Sequence, residues 1–142
     1  MALRRPDYRT IPHTADAGFE VISPDRPQVF ADACLAFYDM VIGLEHLQPH
    51  EEMLIEAQGI DDGDMLVALL SRCLFLFEVE GLAFCDVEVE SISAEGITVR
   101  ARGERLVPER HDIELSVKAI TYHELEVGPS EGAWKARVIV DL

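Results

Sequence analysis

A chain of 142 residues has the usual length of one domain, and its 49% apolar and 27% charged residues can build a core, which excludes an intrinsically disordered chain. Its twelve Lys and Arg against twenty-seven Asp and Glu leave a net charge of −15, which repels a phosphate backbone and excludes direct nucleic-acid binding through a basic surface. The three cysteines, Cys34, Cys73 and Cys85, are odd in number and contain no Cys-x-x-Cys pair, so neither a disulfide framework nor a thiolate zinc site is expected.

The first residues, Met1 to Tyr8, carry basic side chains without the apolar run of a secretory signal, and Met65 to Phe77 is interrupted by Ser71 and Arg72 and is too short to span a bilayer. A single domain, 1–142, in a reducing cytoplasm with no membrane anchor is the expectation. The next segment, His13-Thr14-Ala15-Asp16-Ala17-Gly18, places two candidate ligands three residues apart. Its closing Gly18 permits close backbone geometry ahead of a strand over Phe19 to Ile22. Taken alone, an Asp at a strand entry more often satisfies backbone groups in a turn.

A helix is predicted after Ser23-Pro24-Asp25, with Asp25 as its cap, Pro27 tolerated in the first turn, and Phe30, Ala33, Phe37 and Val41 as its buried stripe; Gly43 ends it. Met53, Ile55 and Ala57 alternate as a strand. Asp61-Asp62-Gly63-Asp64 lacks the alternating ligands and distal Glu of a calcium loop, and its acids suit the positive N-terminus of a second helix over about Asp64 to Glu78. That helix buries Leu66, Leu69, Leu70, Cys73 and Phe77, and Cys34 and Cys73 fall on apolar helical faces as buried, inert thiols.

Cys85, Val87 and Val89 alternate with Asp86, Glu88 and Glu90, and after a turn at Ala94-Glu95-Gly96 the residues Ile97, Val99 and Ala101 alternate with Thr98, Arg100 and Arg102. This is a predicted hairpin that sets a basic row against an acidic one. Further strands are predicted over Ile113 to Tyr122 and Trp134 to Leu142, joined through a turn at Gly128 to Gly132. The fold class is therefore α+β, two helices packed on a largely antiparallel sheet.

No His-Glu-x-x-His, phosphate-binding glycine loop or Gly-x-Ser-x-Gly elbow is present, so composition and motifs point to no enzyme. The final apolar strand Val138-Ile139-Val140 runs into Asp141-Leu142, and docking it in the sheet would fix the Asp141 carboxylate, the Leu142 carbonyl and the terminal carboxylate. Such hard oxygen donors suit calcium, magnesium or manganese better than zinc.

In order and spacing, several segments resemble the archease family. They are His13 to Gly18, Phe37-Tyr38-Asp39-Met40, Leu74 to Gly81, Gly103-Glu104, Pro108-Glu109-Arg110-His111, Val117 to His123 and Trp134 to Leu142. The match spans nearly the whole chain; it departs from the family at Ala17, where a β-branched residue is common, and in a longer polar insert near Asp61.

The resemblance implies a divalent-metal site, calcium first, in which Asp16 and Asp141 supply carboxylates and Leu142 a carbonyl oxygen, with His13 in support. It also implies a protein that activates a GTP-dependent RNA ligase, promoting its guanylylation and multiple turnover in tRNA splicing and RNA repair, without binding the RNA itself. Lys118, Tyr122 and His123 are candidates for the docking face. Two other classes remain open, a chaperone-like modulator of RNA methyltransferases and a free-standing metal-dependent hydrolase. The oligomeric state is not specified.

Overall fold

The computed structural model describes residues 6–12 and 16–142. Asp25 and Asp61 each have an extended backbone and accept a hydrogen bond from the amide three residues on, Gln28 at 2.9 Å and Asp64 at 2.8 Å. Such a cap stabilises a helix start by about 1 kcal/mol. The helices they begin are α1 (Arg26–Val41) and α2 (Asp62–Glu78). α1 ends where Gly43 takes a positive φ of 85°, a conformation that favours glycine.

The strands are β1 (Tyr8–Pro12), β2 (Asp16–Ser23), β3 (Glu51–Gln58), β4 (Leu82–Ile92), β5 (Gly96–Arg105), β6 (Ala119–Ile120), β7 (Glu126–Ser130) and β8 (Ala133–Asp141). They divide between two antiparallel sheets. One runs β1-β2-β8-β6, with β7 also paired to β8; the other runs β3-β5-β4. The fold is thus α+β, as the periodicities predict.

Each helix packs against strands of both sheets, α1 against β2 and β4 and α2 against β3 and β6. The helices fill the space between the sheets, so α1 is buried on every side from Val29 through Tyr38 rather than along the predicted stripe alone. Its second face includes Asp32, fully buried yet satisfied by the Ser23 hydroxyl at 2.6 Å and the Gln28 amide at 2.9 Å.

The predicted hairpin is β4 and β5, and its charged rows meet on the outer face. Arg102 donates to Asp86 at 2.8 Å and to Glu52 at 2.9 Å, and Arg100 donates to Glu52 at 2.6 Å and to Glu90.

The region after β5 differs from the predicted strand over Ile113 to Tyr122, of which only Ala119–Ile120 forms β6. β8 explains why. Its free edge is taken at one end by β7, which pairs residues 126–130 with 133–137, leaving only the last residues of β8 for the chain at 118–121. Likewise Gly128 to Gly132 is not all turn: Gly128, Pro129 and Ser130 belong to β7, and the reversal is Glu131-Gly132, both with positive φ. That conformation fits the primed two-residue turns of hairpins. No helix among the described residues is long and apolar enough to cross a membrane.

Candidate metal and docking site

Two strand ends build the site. β2 starts at Asp16, β8 ends at Asp141, and the antiparallel register makes these two residues direct cross-strand partners. Direct partners project to the same face of a sheet with Cβ atoms about 4.5–5.5 Å apart. Two carboxylates 125 positions apart in the sequence are therefore neighbours, Asp16 half-buried and Asp141 exposed.

The frame beneath them is fixed by packing. Phe19, Val138, Ile139 and Val140 are buried. Gly18 lies opposite Ile139, and a Cβ there would meet the Val138 carbonyl oxygen at 2.6 Å and Ile139 Cδ1 at 2.7 Å, so the glycine of the first motif is a close-approach residue. On the other side of β8 the Lys118 amide donates to the Asp141 carbonyl at 2.8 Å, and both the amide and the hydroxyl of Thr121 donate to the Ile139 carbonyl, at 3.1 and 2.8 Å. Asp141 is held between β2 and β6, with Ala119 as its partner across β6. Leu142 follows, partly exposed, at the rim.

The other predicted residues are distributed around this frame. Lys118 contributes its backbone to Asp141 and has an exposed side chain. Tyr122, 61% exposed, donates its hydroxyl to Asp64 Oδ1 at 2.7 Å, joining the chain after β6 to the first turn of α2. That hydrogen bond, with a second from the Ile60 amide, holds the Asp64 carboxyl below its ordinary pKa, and the same carboxylate raises the Tyr122 phenol. The tyrosine borders an acidic cleft of about 560 Å³ lined by Ile60, Asp61, Asp62, Asp64, Leu125 and Val127. His123 is exposed, with Nε2 3.0 Å from Glu124 Oε2 and its amide donating to Thr121 Oγ1 at 3.2 Å. His13 lies outside the described residues.

No group of three or more His, Cys, Asp or Glu side chains suited to an ion occurs among the described residues. The Asp16–Asp141 pair is a two-carboxylate arrangement whose chemistry fits a hard cation, with further oxygen donors needed from backbone, water or a partner.

Sequence reasoning missed a second cluster on the same sheet. Glu20, nearly buried, is the register partner of Arg9 on β1 and of Arg137 on β8. It accepts from Arg9 at 2.9 Å and from Arg137 at 2.9 Å, with Lys135 Nζ 3.7 Å away. The Arg9 hydrogen bond first, then those of its other cations, outweighs burial and lowers the Glu20 pKa. The available signal was the alternation along β2, which turns Phe19 and Val21 inward and sets Glu20 on the opposite face.

Residues 8–142 match the model of the Archease protein family (MTH1598/TM1083). A protein archease of Methanopyrus kandleri is 38% identical over 138 residues, covering 95% of this chain and 99% of that protein, and one of Methanosarcina mazei is 36% identical with 95% of each covered. Among solved structures, protein 1598 of Methanobacterium thermoautotrophicum superposes with a TM-score of 0.77 at 30% identity, over 95% of this chain and 98% of that one. An archease of Thermotoga maritima described as a possible chaperone shares the fold, with a TM-score of 0.59 at 17% identity over 100% of this chain and 99% of that one. The chain belongs to the archease family.

Proposed function

We propose that this protein is a non-enzymatic activator of a GTP-dependent RNA ligase, acting in the cytoplasm through a divalent cation held at the end of β8. The observation that carries the proposal is the direct pairing of Asp16 with Asp141, which turns two distant carboxylates into one oxygen-rich face. Asp16 and Asp141 would hold the ion with the Leu142 carbonyl, His13 in support, and calcium, magnesium or manganese as the cation. When bound, the ion would supply a concentrated positive charge at the rim of an otherwise acidic protein, where it can meet phosphate-bearing groups in the ligase site.

The surrounding surface suits docking. Lys118, Tyr122 and His123 are exposed beside the same sheet end, and the net charge of −15 favours a basic partner protein over RNA. Residues of β6 and β8 would keep the carboxylates in place while the partner approaches.

The test is multiple-turnover ligation of broken RNA by the cognate ligase with GTP and metal, with and without this protein. Stimulation by the wild type that is lost in folded Asp16→Ala and Asp141→Ala variants supports the reading. Stimulation that both variants retain would remove the metal face from it, and no stimulation at any ratio would sink the activator role. In that last case, recovery of an RNA methyltransferase on co-purification would favour the chaperone-like role, which the description of the Thermotoga maritima relative also suggests.

A further inference from the structure

The helix layer contains a feature that the proposed metal face does not use. Cys34 on α1 and Cys73 on α2 are thirty-nine positions apart, yet their Sγ atoms are 3.8 Å from each other in the buried core. The crossing is pinned beside this contact. Tyr38, one turn after Cys34, donates its hydroxyl to the Cys73 carbonyl at 3.2 Å, and its ring lies 6.5 Å from that of Phe77, one turn after Cys73. This packing holds the two sulfurs facing each other.

We propose that Cys34 and Cys73 form a reversible intramolecular disulfide under peroxide, a redox-sensitive covalent link between the two central helices. A disulfide S–S bond is about 2.05 Å long, so closing the present gap needs each sulfur to move by a little under about 1 Å, within reach of small side-chain rotations.

The reaction balances with hydrogen peroxide as oxidant. One thiol, as thiolate, attacks the O–O bond and becomes a sulfenic acid, and the released hydroxide takes up a proton to leave as water. The second sulfur then attacks the sulfenic sulfur, forming S–S and breaking S–O, and a second water leaves with the remaining thiol proton. Two sulfurs lose one electron each, and peroxide is reduced to two waters.

The buried contact couples the two thiols. Cys34 is pushed well above the ordinary thiol range by its contact with Cys73 and by burial, whereas Cys73 is lowered because Cys34 can donate to its thiolate. The third cysteine is an internal control: Cys85 is also buried, burial pushes its pKa up to about 11, and no thiol partner is recorded for it among the described residues.

The link would join elements that hold the site's frame, because α1 packs on β2, which carries Asp16, and α2 packs on β6, which carries the partner of Asp141. Cross-linking residues so far apart in sequence restricts the unfolded chain, and with little native strain the thermal midpoint should rise by about 10 °C.

The experiment treats the folded full chain with hydrogen peroxide, blocks free thiols in denaturant and maps peptides by mass. The expected result is a Cys34–Cys73 cross-linked peptide with two hydrogens lost, a raised thermal midpoint, and reversal of both by dithiothreitol. Cys85→Ala should retain the cross-link. In Cys34→Ala, Cys73 should stop at a sulfenic acid that dimedone captures. Recovery of Cys34 and Cys73 as free thiols, or as separately over-oxidised residues while circular dichroism still reports a folded wild-type protein, would overturn the proposal; this readout does not depend on any variant folding.

Discussion

Replacing Asp141 with Asn should change stability in opposite directions with and without a cation. In chelator the two carboxylates face each other across β2 and β8. Like charges directly opposite on a sheet cost about 0.2–1 kcal/mol. Asp141→Asn keeps the shape and removes that repulsion, so the metal-free variant should match the wild type or exceed it slightly. With calcium at a hundred times its dissociation constant, binding to the folded state alone adds about 2.7 kcal/mol to the wild type. A chain of this length has an unfolding entropy of roughly 0.3 kcal/mol per degree, so the wild-type midpoint should climb by about 9 °C. The variant should climb far less. Differential scanning calorimetry in chelator and over a calcium series, repeated with magnesium and manganese and with Asp16→Asn, reads both limbs. An equal calcium shift in wild type and both variants would place the ion elsewhere, and no shift in the wild type with any of the three metals at millimolar concentration would end the metal reading.

Gly103→Ala should be among the most damaging small substitutions, because its Cβ would lie 1.9 Å from the Ala83 carbonyl oxygen and 2.6 Å from Phe84 Cα, both backbone atoms. A loss of at least about 3 kcal/mol should appear as a urea midpoint lower by roughly 1.5 M, and a shift under a quarter of that would contradict the packing. Gly128→Ala, with nothing within 4 Å of its Cβ, should stay within about 0.5 kcal/mol of the wild type. Tyr122→Phe removes the hydroxyl that donates to Asp64, so the Asp64 carboxyl should rise towards its ordinary pKa, as read by carboxyl-carbon NMR titration; an unchanged value would deny the hydrogen bond in solution. Glu20 has a folded pKa below its ordinary 4.5, so its contribution to stability is present above that pH and fades as pH falls through the folded value. Urea midpoints from pH 7 to 3 should show Glu20→Gln less stable at neutrality and flatter on the acid limb, whereas parallel curves would mean that the Arg9 and Arg137 pairs contribute nothing.

Local physics wrote some features directly into the sequence. Asp25 marks the start of α1 because a short carboxylate side chain is the cheapest partner for the unbonded first amides, and it caps the helix as predicted; α2 begins at Asp62 behind the cap Asp61, two residues before the predicted start near Asp64. The alternation over residues 85–89 and 97–102 forces one face inward, so the β4–β5 hairpin and the facing of its basic and acidic rows were readable from the sequence, while the pairing of Arg102 with Asp86 follows from the register. Segments whose structure depends on a competitor were not readable. Ile113 to Tyr122 alternates like a strand, but β7 occupies most of the edge that it would need. The burial of α1 on all sides escaped its own periodicity, since alanines at positions 31, 33 and 36 are as compatible with a second packed face as with a surface.

The sequence by itself determined the α+β class, the two helices and the cap of the first, the hairpin, the acidic surface and the family, because caps, periodicities, charge and ordered motifs are properties of neighbours along the chain. Only the tertiary structure decided that Asp16 faces Asp141, that Tyr122 reaches Asp64, and that Cys34 meets Cys73. Each of these depends on strand register or helix crossing, and both are fixed by how buried side chains fill the space between the two sheets, which the spacing of residues along a chain does not encode.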